Sequence, residues 1–101
     1  MRGLDGVALS EFRLFETEEF ARALDRLPPD DREFVQTKLV RQVFPRLREM
    51  PFYGPQIAKL RGYDPPTWRY RLGRYRVFFH VDETERVVYL LTLDQRKDAY
   101  R

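Results

Sequence analysis

The ten residues Thr67–Arg76, "TWRYRLGRYR", place four arginines and three aromatic rings around a single glycine. Gly73-Arg74 lies between two runs of alternating polarity, the signature of a two-residue hairpin whose type II′ turn wants glycine at its first central position. That reading predicts a register in which Leu72 faces Tyr75, Arg71 faces Arg76, Tyr70 faces Val77, Arg69 faces Phe78 and Trp68 faces Phe79. Side chains alternate across a strand, so Trp68, Tyr70, Leu72, Tyr75, Val77, Phe79 and Val81 share one face. Arg69, Arg71, Arg76, Phe78 and His80 share the other. The first face reads as core and the second as an arginine cluster.

A third strand, 86–93, follows a loop at Asp82 to Arg86. Matching Phe79 with Tyr89 and Val77 with Leu91 sets Arg76 opposite Thr92 and brings Phe78 near Leu90 on the arginine side. Upstream, the prolines and glycines of "PFYGPQIAKLRGYDPP" (51–66) read as a loop with one turn of structure around Ile57 to Leu60.

Two helices precede that loop. Thr17 is a fitting N-cap, with Glu18 and Glu19 where a helix dipole favours acids, and Phe20, Leu24 and Leu27 recur at helical spacing up to Pro28-Pro29. Asp30 and Glu33 then stand three apart like a capping box, and Val40, Val43, Phe44, Leu47 and Met50 mark one face of a longer helix. Pro45 removes a backbone donor inside that helix and predicts a kink near Arg41. "ALSEFRLFE" (8–16) reads as a first strand. The order β-α-α-β-β-β describes an α+β fold, an antiparallel sheet with a helical hairpin on one face.

A chain of 101 residues with 43% hydrophobic and 35% charged residues has the composition of one soluble domain, 1–101. Residues 1–58 hold 9 Lys+Arg against 10 Asp+Glu, whereas residues 59–101 hold 10 against 6. The basic half therefore favours an anionic partner. Sixteen of the 19 basic residues are arginine, whose planar fork suits phosphate. No cysteine and one histidine leave no Cys-based metal site, disulfide or His cluster. No apolar run approaches the ~20 residues of a membrane span, and a cytoplasmic location is expected.

Arg71 opposite Arg76 is a like-charge cross-strand pair, which costs roughly 0.2–1 kcal/mol. A solvated face screened by salt accommodates that cost, and so does an anionic ligand. Guanidiniums beside rings suit nucleic acid, but Trp68, Tyr70 and Tyr75 fall on the opposite parity and read as scaffold.

The segments "KLRGY" (59–63), "WRYRLGRYRVFF" (68–79), "VVYLLTL" (87–93) and "QRKDAY" (95–100) resemble the RelE/ParE superfamily of bacterial and archaeal type II toxins over the C-terminal 43 residues. The resemblance implies a compact microbial RNase-like domain neutralised by a cognate antitoxin. In the RelE branch it further implies a metal-independent endoribonuclease that needs no cofactor. Such a toxin acts on mRNA bound in the ribosomal A site, where the substrate's 2′-OH attacks the adjacent phosphate and leaves a 2′,3′-cyclic phosphate and a 5′-OH. Carried onto this chain, the family's catalytic positions fall on Arg69, Arg71, Arg76, Arg96 and Tyr100. Lys59, Arg61, Arg74 and Lys97 are the expected RNA-backbone contacts.

Well-studied RelE toxins carry lysines where Arg69 and Arg71 stand, and arginine, with a pKa above about 12, is a poor general base. His80 shares the arginine face but lies about 13 Å along the strand from Arg76. Three functions follow: a RelE-type mRNA interferase, a ParE-type inhibitor of DNA gyrase, or a degenerate member that only binds antitoxin or RNA.

Overall fold

The computed structural model describes residues 11–95. Its elements run β1 (Arg13–Glu16), α1 (Glu18–Asp25), α2 (Pro29–Lys38), a π turn (Leu39–Val43), α3 (Phe44–Glu49), β2 (Ile57–Lys59), β3 (Trp68–Leu72), β4 (Tyr75–Asp82) and β5 (Val87–Asp94). The strands form one five-stranded sheet in the order β1-β5-β4-β3-β2. The α+β class holds, with two corrections to the antiparallel four-strand expectation. β1 pairs with β5 in parallel, and Ile57–Lys59 is an edge strand antiparallel to β3, rather than a turn. Leu60 N–H to the Thr67 carbonyl and Arg71 N–H to the Gln56 carbonyl extend that short ladder beyond the three paired residues.

The β3–β4 hairpin has the predicted register at all five pairs. Gly73 has φ +64, while Arg74 is not among the residues of positive φ, as a type II′ turn requires. Tyr70, Leu72, Tyr75, Val77, Phe79 and Val81 are buried against the helices, and Trp68 packs at their margin. Fully burying each large apolar side chain contributes about 1.5–3 kcal/mol.

The β4–β5 register differs from expectation. Phe79 pairs with Leu90 and Phe78 with Thr92, with an irregularity between them. The extra residue, Leu91, forms a bulge, so Leu90 turns into the core and Arg76 stands opposite Asp94 rather than Thr92.

Thr17 caps α1 by accepting from Phe20 N–H at 3.2 Å, and its hydroxyl donates to the Leu90 carbonyl at 2.8 Å, joining the helix to β5. The Asp30/Glu33 box is not formed. Pro29 supplies the first helical residue, Pro28 takes the cap position without a side-chain bond, and Asp30 and Asp31 fall in the first turn.

Pro45 disturbs the second helix at the predicted place, through a π turn. Phe44 N–H bonds back to the Leu39 carbonyl, five residues earlier. Val35, Leu39, Val43 and Leu47 are buried, a strict four-residue spacing. In a regular helix that spacing drifts by about 120° over twelve residues. The wider π turn takes up much of the drift and keeps all four on the sheet. Val40, at 65% exposure, and Met50, at 38%, are correspondingly turned away from the core face predicted for them.

Candidate nucleic-acid interface

Arg69, Arg71 and Arg76 meet on the sheet face opposite the helices. Leu72 and Tyr75 flank the turn, so the next pair, Arg71 with Arg76, falls where antiparallel side chains approach most closely, about 4.5 Å between Cα atoms. Arg69 is two residues along the same face. Its Nη1 donates to the Gln56 carbonyl at 2.6 Å, and the same oxygen accepts Arg71 N–H at 2.9 Å. Burial, followed by the charges of Arg71 and Arg76, lowers the Arg69 pKa from its ordinary value. The group remains a cation.

Arg76 Nη1 reaches the Gln95 carbonyl at 3.5 Å, which orients that guanidinium toward the end of β5. Phe78, opposite Arg69, is fully buried within this face. The three cations stand on adjacent strands of one rigid sheet. They present fork-shaped donors to an anion and could stabilise charge that develops on a phosphate.

The remaining expected contacts are dispersed. Lys59 pairs with Trp68 and lies 5.9 Å over its ring, on the opposite parity from the cluster. Arg61 is exposed in the loop before β3. Arg74 donates to Asp31 Oδ2 at 2.8 Å, and that carboxylate raises its pKa. Arg96, Lys97 and Tyr100 lie outside the described residues.

His80 belongs to a different feature. Its ring lies 6.4 Å from Tyr89, which in turn lies 5.6 Å from Phe15, forming an aromatic row across β4, β5 and β1. His80 Nδ1 sits 2.7 Å from the Pro66 carbonyl, an oxygen that only accepts, so this nitrogen carries the proton. Among the described residues, no three His, Cys, Asp or Glu side chains are grouped as metal ligands would be. No helix among them is long and apolar enough to cross a membrane.

A sequence model of the ParE toxin of type II toxin–antitoxin systems matches residues 17–100. The chain belongs to this family, within the RelE/ParE superfamily. No curated relative matches the sequence. Among solved structures, this ParE-family chain is similar to a chain of the RelBE2 toxin–antitoxin complex from Mycobacterium tuberculosis. Identity there is 24% and the TM-score 0.65, over 85% of this chain and 99% of the other. It is also similar to a chain of the RelE–RelB complex from the archaeon Pyrococcus horikoshii, with 26% identity and a TM-score of 0.55 over 88% and 99%. Isolated E. coli RelE gives 23% identity and a TM-score of 0.60 over 87% of each chain. The ParE-family chain thus has the RelE-like fold expected from its C-terminal motifs.

Sequence reasoning missed two features of this ParE-family chain. Asp31 anchors the β3–β4 turn by accepting from both Arg74 and Tyr75. Lys38, Arg41 and Arg46 border the clefts beside β2. Their spacing along one helix was the available signal, obscured because these cations alternate with apolar core positions.

Proposed function

We propose that this chain is a type II toxin that cleaves mRNA on the ribosome and is held inactive by a cognate antitoxin. The observation that carries the reading is the convergence of Arg69, Arg71 and Arg76 on one sheet face, with Arg71 and Arg76 directly paired. In the proposed reaction the 2′-oxygen bonds to the adjacent phosphorus as the bond to the 5′-oxygen breaks. The 2′-OH proton leaves to a base, and the departing 5′-oxygen takes up a proton. Arg69, Arg71 and Arg76 hold the phosphate and offset its growing charge, while Arg96 and Tyr100 complete the site from the C-terminal segment. Ribosome-bound mRNA supplies the substrate already oriented, so positioning carries a large share of the rate.

A second reading, inhibition of DNA gyrase without nuclease chemistry, is favoured by the family match to ParE toxins. It is further supported by the absence of a lysine beside the arginine trio on β3 and β4.

Translation of a defined mRNA in vitro, with new 5′ ends mapped by primer extension, tests the proposal. Ribosome-dependent cleavage lost in Arg76→Ala supports the nuclease. Intact mRNA together with blocked supercoiling by gyrase overturns it in favour of the second reading. The antitoxin is tested by co-purification with the product of an adjacent open reading frame.

A further inference from the structure

Two clefts meet beside the β2 edge of the sheet. One, of ≈ 470 Å³, is bordered by Lys38, Gln42, Gln56 and Arg71. The other, of ≈ 600 Å³, is bordered by Arg41, Gln42, Arg46, Gln56 and Tyr70. Gln42 and Gln56 are common to both, so the clefts form one groove between the second helix with its π turn on one side and β3 with the Pro55-Gln56 segment that precedes β2 on the other.

We propose that this groove holds the phosphodiester backbone of a single-stranded RNA segment running on from the phosphate bound at Arg69, Arg71 and Arg76. The proposal rests on the reading of the arginine face as an RNA site. It adds a second binding segment remote from the cleaved bond.

Charge is the first argument. Lys38, Arg41 and Arg46 border the groove from the helix and Arg71 from the end of the sheet, and among the described residues Glu49 is its one acid. None of these four cations forms an ion pair among the described residues, whereas Arg74 is paired with Asp31 and Arg22 with Glu18. Four cations set along a concave surface focus a positive field there.

Continuity is the second. Arg71 belongs both to the groove and to the arginine trio, and the Gln56 carbonyl ties Arg69 and Arg71 to the groove wall. The trio lies on the sheet face opposite the helices, so a strand leaving it would turn around the sheet end at Arg71 to reach Lys38, Arg41 and Arg46 on the helix side. Lys38 to Arg46 spans eight residues of helix, on the order of 12 Å. That is about three and a half steps at the ~3.4 Å rise of a stacked strand.

The floor supplies the third. Gln42 Nε2 donates to the Tyr70 hydroxyl at 3.1 Å, which fixes the amide and leaves its oxygen able to accept. The Gln56 side-chain amide has no partner among the described residues. Phe34, Leu72, Pro45 and Pro55 also line the groove, but the amides and cations interrupt them. Those polar groups suit sugar and phosphate, whereas an amphipathic protein helix needs a continuous apolar stripe to receive it.

The test is fluorescence anisotropy of the full chain with labelled 2′-O-methyl oligouridylates of three and nine nucleotides, which lack the 2′-OH nucleophile. The variant is Arg41→Ala/Arg46→Ala, with an unchanged melting temperature verifying its fold. Each lost phosphate contact lowers the log–log salt slope by about 0.7, so two lower it by about 1.4 and weaken nine-mer binding roughly 25-fold at 0.1 M salt. The three-mer is expected to bind the variant within about twofold of the unmodified chain. Equal weakening of both lengths, an unchanged nine-mer, or no nine-mer binding by the unmodified chain overturns the proposal. Loss of polyglutamate binding with nine-mer binding intact also overturns it, assigning the groove to an acidic polypeptide. An unchanged nine-mer alongside ribosome-dependent cleavage sinks the groove alone. The expected length dependence without cleavage sinks the nuclease alone.

Discussion

Tyr75 donates its hydroxyl hydrogen to Asp31 Oδ2 at 2.6 Å, pinning the strand that leaves the β3–β4 turn to the first turn of α2. Arg74 donates to the same oxygen at 2.8 Å, so both turn-side residues are fixed by one carboxylate. The turn that sets the arginine register is thereby held from the helix layer.

Acid should loosen this clamp. The hydrogen bond from Tyr75, then that from Arg74, lowers the Asp31 pKa below its ordinary value of 3.8. A depressed carboxyl contributes stability above its unfolded pKa, and that contribution is lost as pH falls through the folded value. Tyr75 is shifted the other way, raised from 10.0 chiefly by its bond to Asp31, so its contribution is present below pH 10 and lost above it. Urea midpoints measured from pH 2 to 7 should fall below about pH 4, with a shallower fall in Asp31→Asn. Identical acid slopes in the two proteins would refute the clamp.

The arginine pair should trade stability for function. Replacing Arg71 by threonine removes a like-charge neighbour of Arg76 and introduces a β-branched side chain suited to a strand. Arg71→Thr is expected to gain several tenths of a kcal/mol in urea denaturation. On the nuclease reading, removing one charge-stabilising donor, as in Arg76→Ala, should lower the cleavage rate by about 10²–10³. Unaltered cleavage in Arg76→Ala would remove the trio from the chemistry.

Gly73 has a separate, conformational role. At φ +64 an L side chain is strained, although a Cβ there would meet only the Phe34 ring at an ordinary 3.5 Å. Gly73→Ala should therefore cost about 1–2 kcal/mol through the backbone rather than through a clash. Gly73→Asn should cost about as much, because the first central position of a type II′ turn lies outside the left-handed helical region that asparagine tolerates. An unchanged unfolding free energy in Gly73→Ala would refute the backbone account.

The β3–β4 hairpin was legible because Gly73 marks its turn and the flanking residues alternate without interruption. The β5 register was not, since Tyr89, Leu90, Leu91 and Leu93 leave the pattern equally apolar in either alignment, and only the backbone reveals the bulge at Leu91. β2 escaped because Ile57–Lys59 is three residues long and lies between Pro55 and Pro65, where turn signals dominate. In the second helix Pro45 announced a disturbance, but a kink and a π turn have the same sequence signal. The arginine trio followed from parity alone. The groove did not, because it is assembled from a helix and a strand whose facing residues no local pattern relates.

The π turn offers a test that a simple kink would fail. One residue more than a regular helix needs is accommodated between Leu39 and Val43, and Val40, 65% exposed, contributes little to the core. Deleting Val40 would leave the four buried residues at spacings of four, three and four, the pattern of a regular amphipathic helix. The deletion variant should therefore fold with undiminished helical circular dichroism. Its melting temperature should fall by about 4–8 °C or less, the shift that ~1 kcal/mol produces in a domain of this size. If the segment were instead a regular helix kinked at Pro45, the same deletion would rotate Val43 and Leu47 by about 100° out of the core. Cavities of that kind cost about 2–5 kcal/mol for each large residue withdrawn, and the chain would fail to fold cooperatively.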